Sequence, residues 1–283
     1  MNECPVCGRP DARLYFVRKD MRVMRCPGCS MMFQSDDSQA VKNTALINSI
    51  YGEYLKDGAS HNLLNERRLA RMRKLSGGLS GRKILEIGTG PGVLAAGLVR
   101  AGAEYHGVEP SALCFSHMED RHPELKGLVS NTHYRPDMFP PESFDMLVMT
   151  DTLEHIAGPL EFLKSVLPAV KSGGLVYLEV PSETFIRPKG LLRSAFGLYN
   201  GYPTNPEHAN MFTKRTLALL LNRAGLEAGY MSQMSVWGDY DRVKIALNGR
   251  VPLWVWAACM FFRYSKLDIL LEQGVLTVCA RKV

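Results

Sequence analysis

Four cysteines open the chain in two pairs, Cys4-Pro-Val-Cys7 and Cys26-Pro-Gly-Cys29, with 18 residues between the pairs. A C-x2-C turn points two thiolates to one side, and two such turns close a tetrahedral S4 shell, the coordination that Zn²⁺ takes in closed structural sites. A rubredoxin-like iron would accept the same four sulfurs, and four metal-free thiols are the bland alternative. With no open coordination position, a metal here is expected to be structural. A second stretch, Ile84-Leu-Glu86-Ile-Gly88-Thr-Gly90-Pro-Gly92, runs from apolar residues into three alternating glycines. Such glycines let a backbone turn tightly and let a ligand approach where a Cβ would block it. A helix beginning near Val93 would offer that ligand its free N–H groups. Val93 stands where the dinucleotide fingerprint G-x-G-x-x-G needs its third glycine. Glu109 ends another apolar run 17 residues past Gly92, where a carboxylate can accept hydrogen bonds from both hydroxyls of a ribose. Finally, Glu207-His208 joins an imidazole that titrates near neutral pH to an acid able to tune or orient it. The imidazole reads either as a general base or as a residue that only shapes its loop.

From Lys83 onward the pattern alternates strand and helix, the mark of an α/β domain with a parallel sheet. Strands are expected at 83–87, 104–108, 128–129, 144–149, 175–180, 227–234 and 275–281, and helices at 93–100, 112–120, 159–170 and 213–224. The glycine turn, Glu109 and the Glu207-His208 loop then all follow strand ends on the side where open α/β sheets bind ligands. Ahead of this core, 13–17 and 21–25 read as two short strands between the cysteine pairs. A unit of 35 residues buries too little surface to fold alone, so the metal stands in for a core. Residues 62–75 read as a helix with Leu69, Met72 and Leu75 inward and Arg67, Arg68, Arg71 and Lys74 on another side, solvated or set to meet phosphates.

Four stretches in order resemble motifs of the class I S-adenosylmethionine-dependent methyltransferases: Glu86–Gly92, Tyr105–Ser111, Ser143–Ile156 and Leu167–Pro181. The resemblance covers residues 83–235 and the final strand, and implies a Rossmann-like, mostly parallel sheet whose last strand is antiparallel. It implies that Gly88, Gly90 and Gly92 approach the methionine part of S-adenosylmethionine. Glu86 would serve the cofactor's amino-acid end, Glu109 the ribose, and Asp151 and Leu153 would lie beside it. Asn131 and Thr132 are candidates near the adenine. The stretch around His208 is similar to a segment of zinc-ribbon methyltransferases, including sugar C-methyltransferases in which a histidine there is implicated in catalysis. Those enzymes carry a tyrosine just before Glu-His, where this chain has Asn205-Pro206; Tyr199 or Tyr202 could substitute. His155 is expected to belong to the frame of the cofactor loop.

The organisation expected is a zinc ribbon at 1–35, a helical linker or lid at 36–80, the S-adenosylmethionine-binding core at 81–235, an apolar helical insertion at 236–274 and a final core strand at 275–283. The function expected is methyl transfer to a small-molecule acceptor, a sugar, nucleotide-sugar or secondary metabolite. The alternative is a zinc-ribbon RNA methyltransferase, with the ribbon arginines and Arg67–Lys74 as a basic track. Against that alternative, the segment after Phe144–Met149 lacks an Asn/Asp-Pro-Pro-Tyr tetrapeptide. DNA is not among the expected partners. The net charge of +6 and 22% charged residues are ordinary for a globular chain. Residues 251–262 are almost all apolar, too short for the roughly 20 residues a bilayer span takes. They suit a lid, a subunit contact or docking at a membrane interface. The first residues contain no apolar h-region, and the paired cysteines fit a reducing compartment, so the location expected is cytoplasmic.

Overall fold

The computed structural model describes residues 3–36, 38, 52, 55, 58–183, 204–234, 252–265 and 274–283. Tyr199 and Tyr202, singled out in the sequence, lie outside these. The N-terminal unit is a hairpin of β1 (Arg13–Arg18) and β2 (Met21–Arg25), turned at Lys19 with φ +52°, followed by β3 (Met32–Gln34). Helix α1 (Gly58–Ser76) leads into the core. There follow β4 (Lys83–Ile87), α2 (Val93–Arg100), β5 (Glu104–Val108), α3 (Ala112–Arg121), β6 (Val129–Ser130), β7 (Phe144–Thr150), α4 (Pro159–Val166) and β8 (Val170–Pro181). The chain continues through β9 (Asn210–Met211), α5 (Lys214–Arg223), β10 (Leu226–Met234), α6 (Leu253–Ser265) and β11 (Val275–Lys282).

Seven strands form one sheet in the order β10-β11-β8-β7-β4-β5-β6. β4, β5, β6, β7 and β8 run parallel, and β11 enters antiparallel between β8 and β10. The fold class is the Rossmann-like α/β arrangement expected. Because side chains alternate across a strand, the sheet buries two faces. Ile84, Met146, Val148, Leu175 and Tyr177 meet Met72 of α1, Leu94 and Leu98 of α2 and Met118 of α3. Leu85, Ile87, Leu147, Met149, Val176, Leu178 and Val180 meet Leu160 and Leu163 of α4 and Leu217, Leu220 and Leu221 of α5.

Two local expectations shift. The helix expected over 159–170 ends at Val166, because Pro168 removes the N–H that would continue it, and a tight turn at Leu167–Ala169 follows. β8 then begins at Val170 instead of Leu175, with an irregularity in its pairing with β7 between Phe144 and Met146. Such a bulge absorbs extra residues without shifting the buried register.

The ribbon is not a separate body. Cys4, Val6, Cys26 and Cys29 are continuous with the core on the α4–α5 side of the sheet. The Arg223 guanidinium at the end of α5 donates to the Val6 carbonyl at 3.0 Å. β3 pairs with β9, Met32 opposite Met211 and Phe33 opposite Asn210, giving a four-stranded sheet β1-β2-β3-β9. A strand supplied by the core thus completes the ribbon.

Candidate active site

The glycine turn leaves β4 as a cradle in which each glycine serves a different need. Gly88 and Gly92 have φ of +81° and +82°, and a Cβ on either would collide, with Thr152 or with Met118 and Leu125. Gly90 (φ +59°) faces open space within 4 Å, so its missing side chain leaves room for a ligand. The turn is pinned from below: Gly88 N–H donates to the Val108 carbonyl at 2.8 Å and Thr152 Oγ1 to the Ile87 carbonyl at 3.1 Å. Glu109 accepts Gly90 N–H on Oε2 and Ser111 N–H on Oε1, both at 2.7 Å. Burial holds its carboxyl above the usual range although those two donors pull it down. Asn131 Nδ2 donates to the Glu109 carbonyl at 2.8 Å, which fixes the bend after β5. Glu86 is 1% exposed beneath the turn and accepts the Tyr105 hydroxyl at 2.6 Å. Burial pushes this carboxyl up to about 8, and the Tyr105 hydrogen bond offsets only part of that.

Asp151 follows β7 in a left-handed conformation, φ +51°, with Leu153 fully buried behind it. Arg68 of α1 holds Asp151: Nη2 donates to its Oδ2 at 2.5 Å, while Nε donates to Glu179 Oε2 at 2.6 Å and Nη1 to Asn65 Oδ1 at 3.1 Å. Burial works against the Arg68 charge, but Asp151 and Glu179 outweigh it and keep the guanidinium protonated. Arg71 adds a contact to Glu179 Oε1 at 2.6 Å, and Tyr177 donates to the same oxygen at 2.5 Å. The basic face read for α1 is therefore corrected for two of its four members. Arg68 and Arg71 turn inward because Glu179, on a strand with no exposure, would otherwise be an unpaired buried charge. A charged residue inside the apolar run Leu175–Val180 was the signal that such a partner existed.

His208 and Glu207 are each 7% exposed, in the loop before β9. The acid nearest His208 Nδ1 is Glu183, just past β8, with Oε1 at 3.7 Å; Thr204 Oγ1 donates to the same carboxylate. Glu207 instead accepts Asn205 Nδ2 at 2.9 Å, and its carbonyl meets His155 Nδ1 at 3.2 Å. The rings of His155 and His208 lie 5.1 Å apart, edge to face. Burial and the neighbouring His208 charge lower His155 to about 4, so it is neutral. Burial opposes charge on His208 too, but Glu183, Glu154 and Glu207 together raise it above the ordinary histidine value. Burial pushes Glu154 up to about 8, and neither of its oxygens has a hydrogen-bond partner among the described residues. One ligand atom each of Glu154, His155 and His208 lies within 4.8 Å of the others, near enough to share a cation or a proton.

The ribbon holds this loop directly. Gln34 Nε2 donates to the carbonyls of Pro206 at 2.7 Å and His208 at 2.9 Å, and its backbone N–H to the Ala209 carbonyl at 2.8 Å. Sequence reasoning missed Gln34 and Glu183 and read Arg68 as solvated or phosphate-binding; each acts on residues distant in sequence. The four ribbon thiols converge as their spacing predicts, within 4.8 Å of one another, with Cys4–Cys29 Sγ atoms at 3.5 Å and Cys7–Cys26 at 3.4 Å. Metal–sulfur bonds of about 2.3 Å in a tetrahedron set sulfurs about 3.8 Å apart, so the four thiols suit one zinc with little adjustment.

A family model described as a methyltransferase domain matches residues 59–229, more than half of the chain. The ubiquinone biosynthesis O-methyltransferase of Aeromonas salmonicida is 28% identical over 195 residues, 65% of this chain and 79% of that protein. The protein of the same name from Actinobacillus pleuropneumoniae is 29% identical over 133 residues, and the match spans only 55% of its length. An S-adenosylmethionine-dependent methyltransferase from Mesorhizobium loti superposes with a TM-score of 0.54 at 17% identity, covering 80% of this chain and 99% of that one, a likeness of fold. Strand order, glycine cradle, Glu109 and the match over 59–229 agree: this chain belongs to the methyltransferase-domain family, as an enzyme that takes its methyl group from S-adenosylmethionine.

Proposed function

We propose that the chain methylates a hydroxyl on a small molecule of the sugar, nucleotide-sugar or secondary-metabolite type, with His208 as general base and a structural zinc on Cys4, Cys7, Cys26 and Cys29. The cofactor supplies an activated methyl group, so the protein has mainly to align the acceptor and receive its proton. The observation that carries the reading is His208, a buried imidazole past the carboxyl end of β8 whose proton affinity three acids raise. The relatives' names specify O-methylation, which supports a hydroxyl acceptor. Gly88, Gly90, Gly92 and Glu109 would hold the cofactor, with Glu86, Asp151 and Leu153 around it. Residues 1–35 would act as a ribbon closing the acceptor side. The RNA reading loses Arg68 and Arg71 to internal pairs, and Arg25 lies 5.6 Å over the ring of Tyr15, one of the few aromatic residues there that could stack on a base.

An acceptor screen with radiolabelled cofactor tests the substrate class. His208→Ala is expected to keep cofactor binding by calorimetry and lose turnover by about 10²-fold or more; full activity would remove His208 from the role. In the wild type the acid limb of kcat/KM should lie above the ordinary histidine value, since the base form is lost as pH falls through the raised pKa. Metal analysis should find zinc in the wild type and lose it in Cys4→Ser/Cys29→Ser; a zinc-free wild type would overturn that part.

A further inference from the structure

The fold treats the two ring nitrogens of His208 differently. Nδ1 is closed off from solvent, while the side chain as a whole keeps 9% exposure, so what remains open lies on its other atoms. The group facing Nδ1 is Glu183, whose Oε1 stands 3.7 Å away on a side chain only 1% exposed. Both residues are anchored through their backbones. Glu183 N–H donates to the Phe212 carbonyl at 2.8 Å, Ser182 N–H before it to the Gly274 carbonyl at 2.7 Å, and His208 N–H to the Asn205 carbonyl at 3.2 Å. Thr204 Oγ1 donates to Glu183 Oε1 and so orients the carboxylate. The other titratable groups described around His208 are Glu154 and His155, past β7, and Glu207 on its own loop. His155 turns Nδ1 to the Glu207 carbonyl, and the Glu207 carboxylate accepts from Asn205. Glu154 adds charge but no described hydrogen bond.

We propose that Glu183, and not the sequence neighbour Glu207, is the positioning residue for His208: its carboxylate accepts Nδ1–H and leaves Nε2 to face the acceptor. The inference rests on the reading of His208 as general base. The hydrogen bond that one ring nitrogen makes decides which of the two carries the proton. At 3.7 Å Nδ1 and Oε1 are not yet hydrogen-bonded. Closing to about 2.9 Å takes a small ring movement, the tightening that catalytic contacts undergo when substrate binds. In the reaction Nε2 takes the hydroxyl proton as the acceptor oxygen bonds to the methyl carbon and the C–S electron pair stays on sulfur. The imidazolium so formed carries a proton on each nitrogen, and the buried carboxylate beside Nδ1 stabilises it.

The test joins a spectrum to kinetics, both on the full chain. Nitrogen-15 NMR of the cofactor-free protein, at a pH where His208 is neutral, should show the Nδ1–H tautomer, the one a free imidazole side chain favours less. Glu183→Gln keeps an oxygen for Nδ1–H and for Thr204 but loses the charge. It should keep that tautomer, lower kcat at least about tenfold and move the acid limb of kcat/KM to lower pH, with cofactor affinity nearly constant. Glu183→Leu removes the acceptor and should lose the tautomer as well. An Nε2–H tautomer in the wild type would overturn the proposal. So would wild-type kinetics in Glu183→Gln, or a larger loss in Glu207→Gln than in Glu183→Gln, while His208→Ala loses turnover. If His208→Ala keeps full activity, it is the reading of His208 as base that fails, and the spectrum alone then decides whether Glu183 holds the ring.

Discussion

Replacing Gln34 with alanine removes a side-chain amide that links the ribbon to the backbone of the His208 loop. That amide donates to the carbonyls of Pro206 and His208, and Gln34 is 8% exposed, so neither bond is exchanged for bulk water. Two neutral hydrogen bonds contribute about 1–3 kcal/mol net, and two carbonyls left unpaired add to the loss unless the loop moves to meet water. The backbone bond from Gln34 to Ala209 and the β3–β9 pairing survive the substitution. The ribbon should therefore stay folded while the loop ahead of β9 loosens by roughly 2–3 kcal/mol. If His208 acts only from its ordered position, turnover should fall by up to roughly 30- to 150-fold, at about 1.4 kcal/mol per tenfold. Cofactor affinity should be nearly constant, because the hydrogen bonds described for Gln34 go to Pro206, His208, Ala209 and Ser38 and not to the glycine turn. The assay is steady-state kcat with saturating acceptor, paired with calorimetric cofactor binding and zinc content. Gln34→Glu replaces the donor with an acceptor facing two carbonyls and should be worse than alanine. A Gln34→Ala enzyme with wild-type kcat would refute the reasoning, and so would a loss of kcat that merely follows loss of zinc.

Two more predictions follow from buried charge. Arg68→Met leaves Arg71 as the one cation described beside Glu179 and should cost roughly 3–5 kcal/mol in urea denaturation. Arg68→Met with Glu179→Leu should recover much of that; a single variant as stable as wild type would show that the network is not stabilising. In the cofactor-free protein, Glu86 and Glu154 are both held near 8 by burial, against an ordinary value of 4.5. The folded form therefore keeps protons that the unfolded chain releases. Stability is fully present below pH 4.5 and is lost as pH rises through about 8. Glu86→Gln should flatten the fall of melting temperature over that window without abolishing it, since Glu154 remains; an unchanged slope would mean that Glu86 is ionised in the folded protein.

What was legible in the sequence is what acts locally. The glycine turn, the acid closing β5 and the paired cysteines each carry their chemistry within a few residues, and the alternation of strands and helices supplies the sheet that aligns them. What was not legible acts at a distance. Arg68 and Glu179 are 111 residues apart, and nothing in either stretch says that α1 crosses β8. The lone acid in an apolar strand announces only that a partner exists. β3 and β9, of three and two residues, are too short for any periodicity, yet their pairing joins the ribbon to the loop of His208. Glu183 was missed for a related reason: only the folded loop brings it nearer to His208 Nδ1 than Glu207, the neighbour in sequence, which is turned toward Asn205.

The two distant contacts have one physical logic. Methyl transfer to a bound acceptor depends on in-line approach at about 3–3.5 Å, and loops at strand ends are the least rigid part of an α/β sheet. Here each critical loop is tied by a long polar side chain from the N-terminal quarter of the chain. Arg68 of α1 ties the turn after β7 through Asp151, and Gln34 of β3 ties the loop before β9 through two carbonyls. Apolar packing would resist separation of these parts but not sliding, because it has no direction. A guanidinium fork and a donating amide fix orientation as well as distance. The ties lie on opposite sides of the sheet, Arg68 with the α1–α2 side and Gln34 with the ribbon beside α5, and share no residue. Disturbing one should therefore leave the other intact. Under the proposed function, the Asp151 turn then depends on α1 and the position of His208 on the ribbon, and a zinc on the four cysteines would act only by holding that ribbon in place.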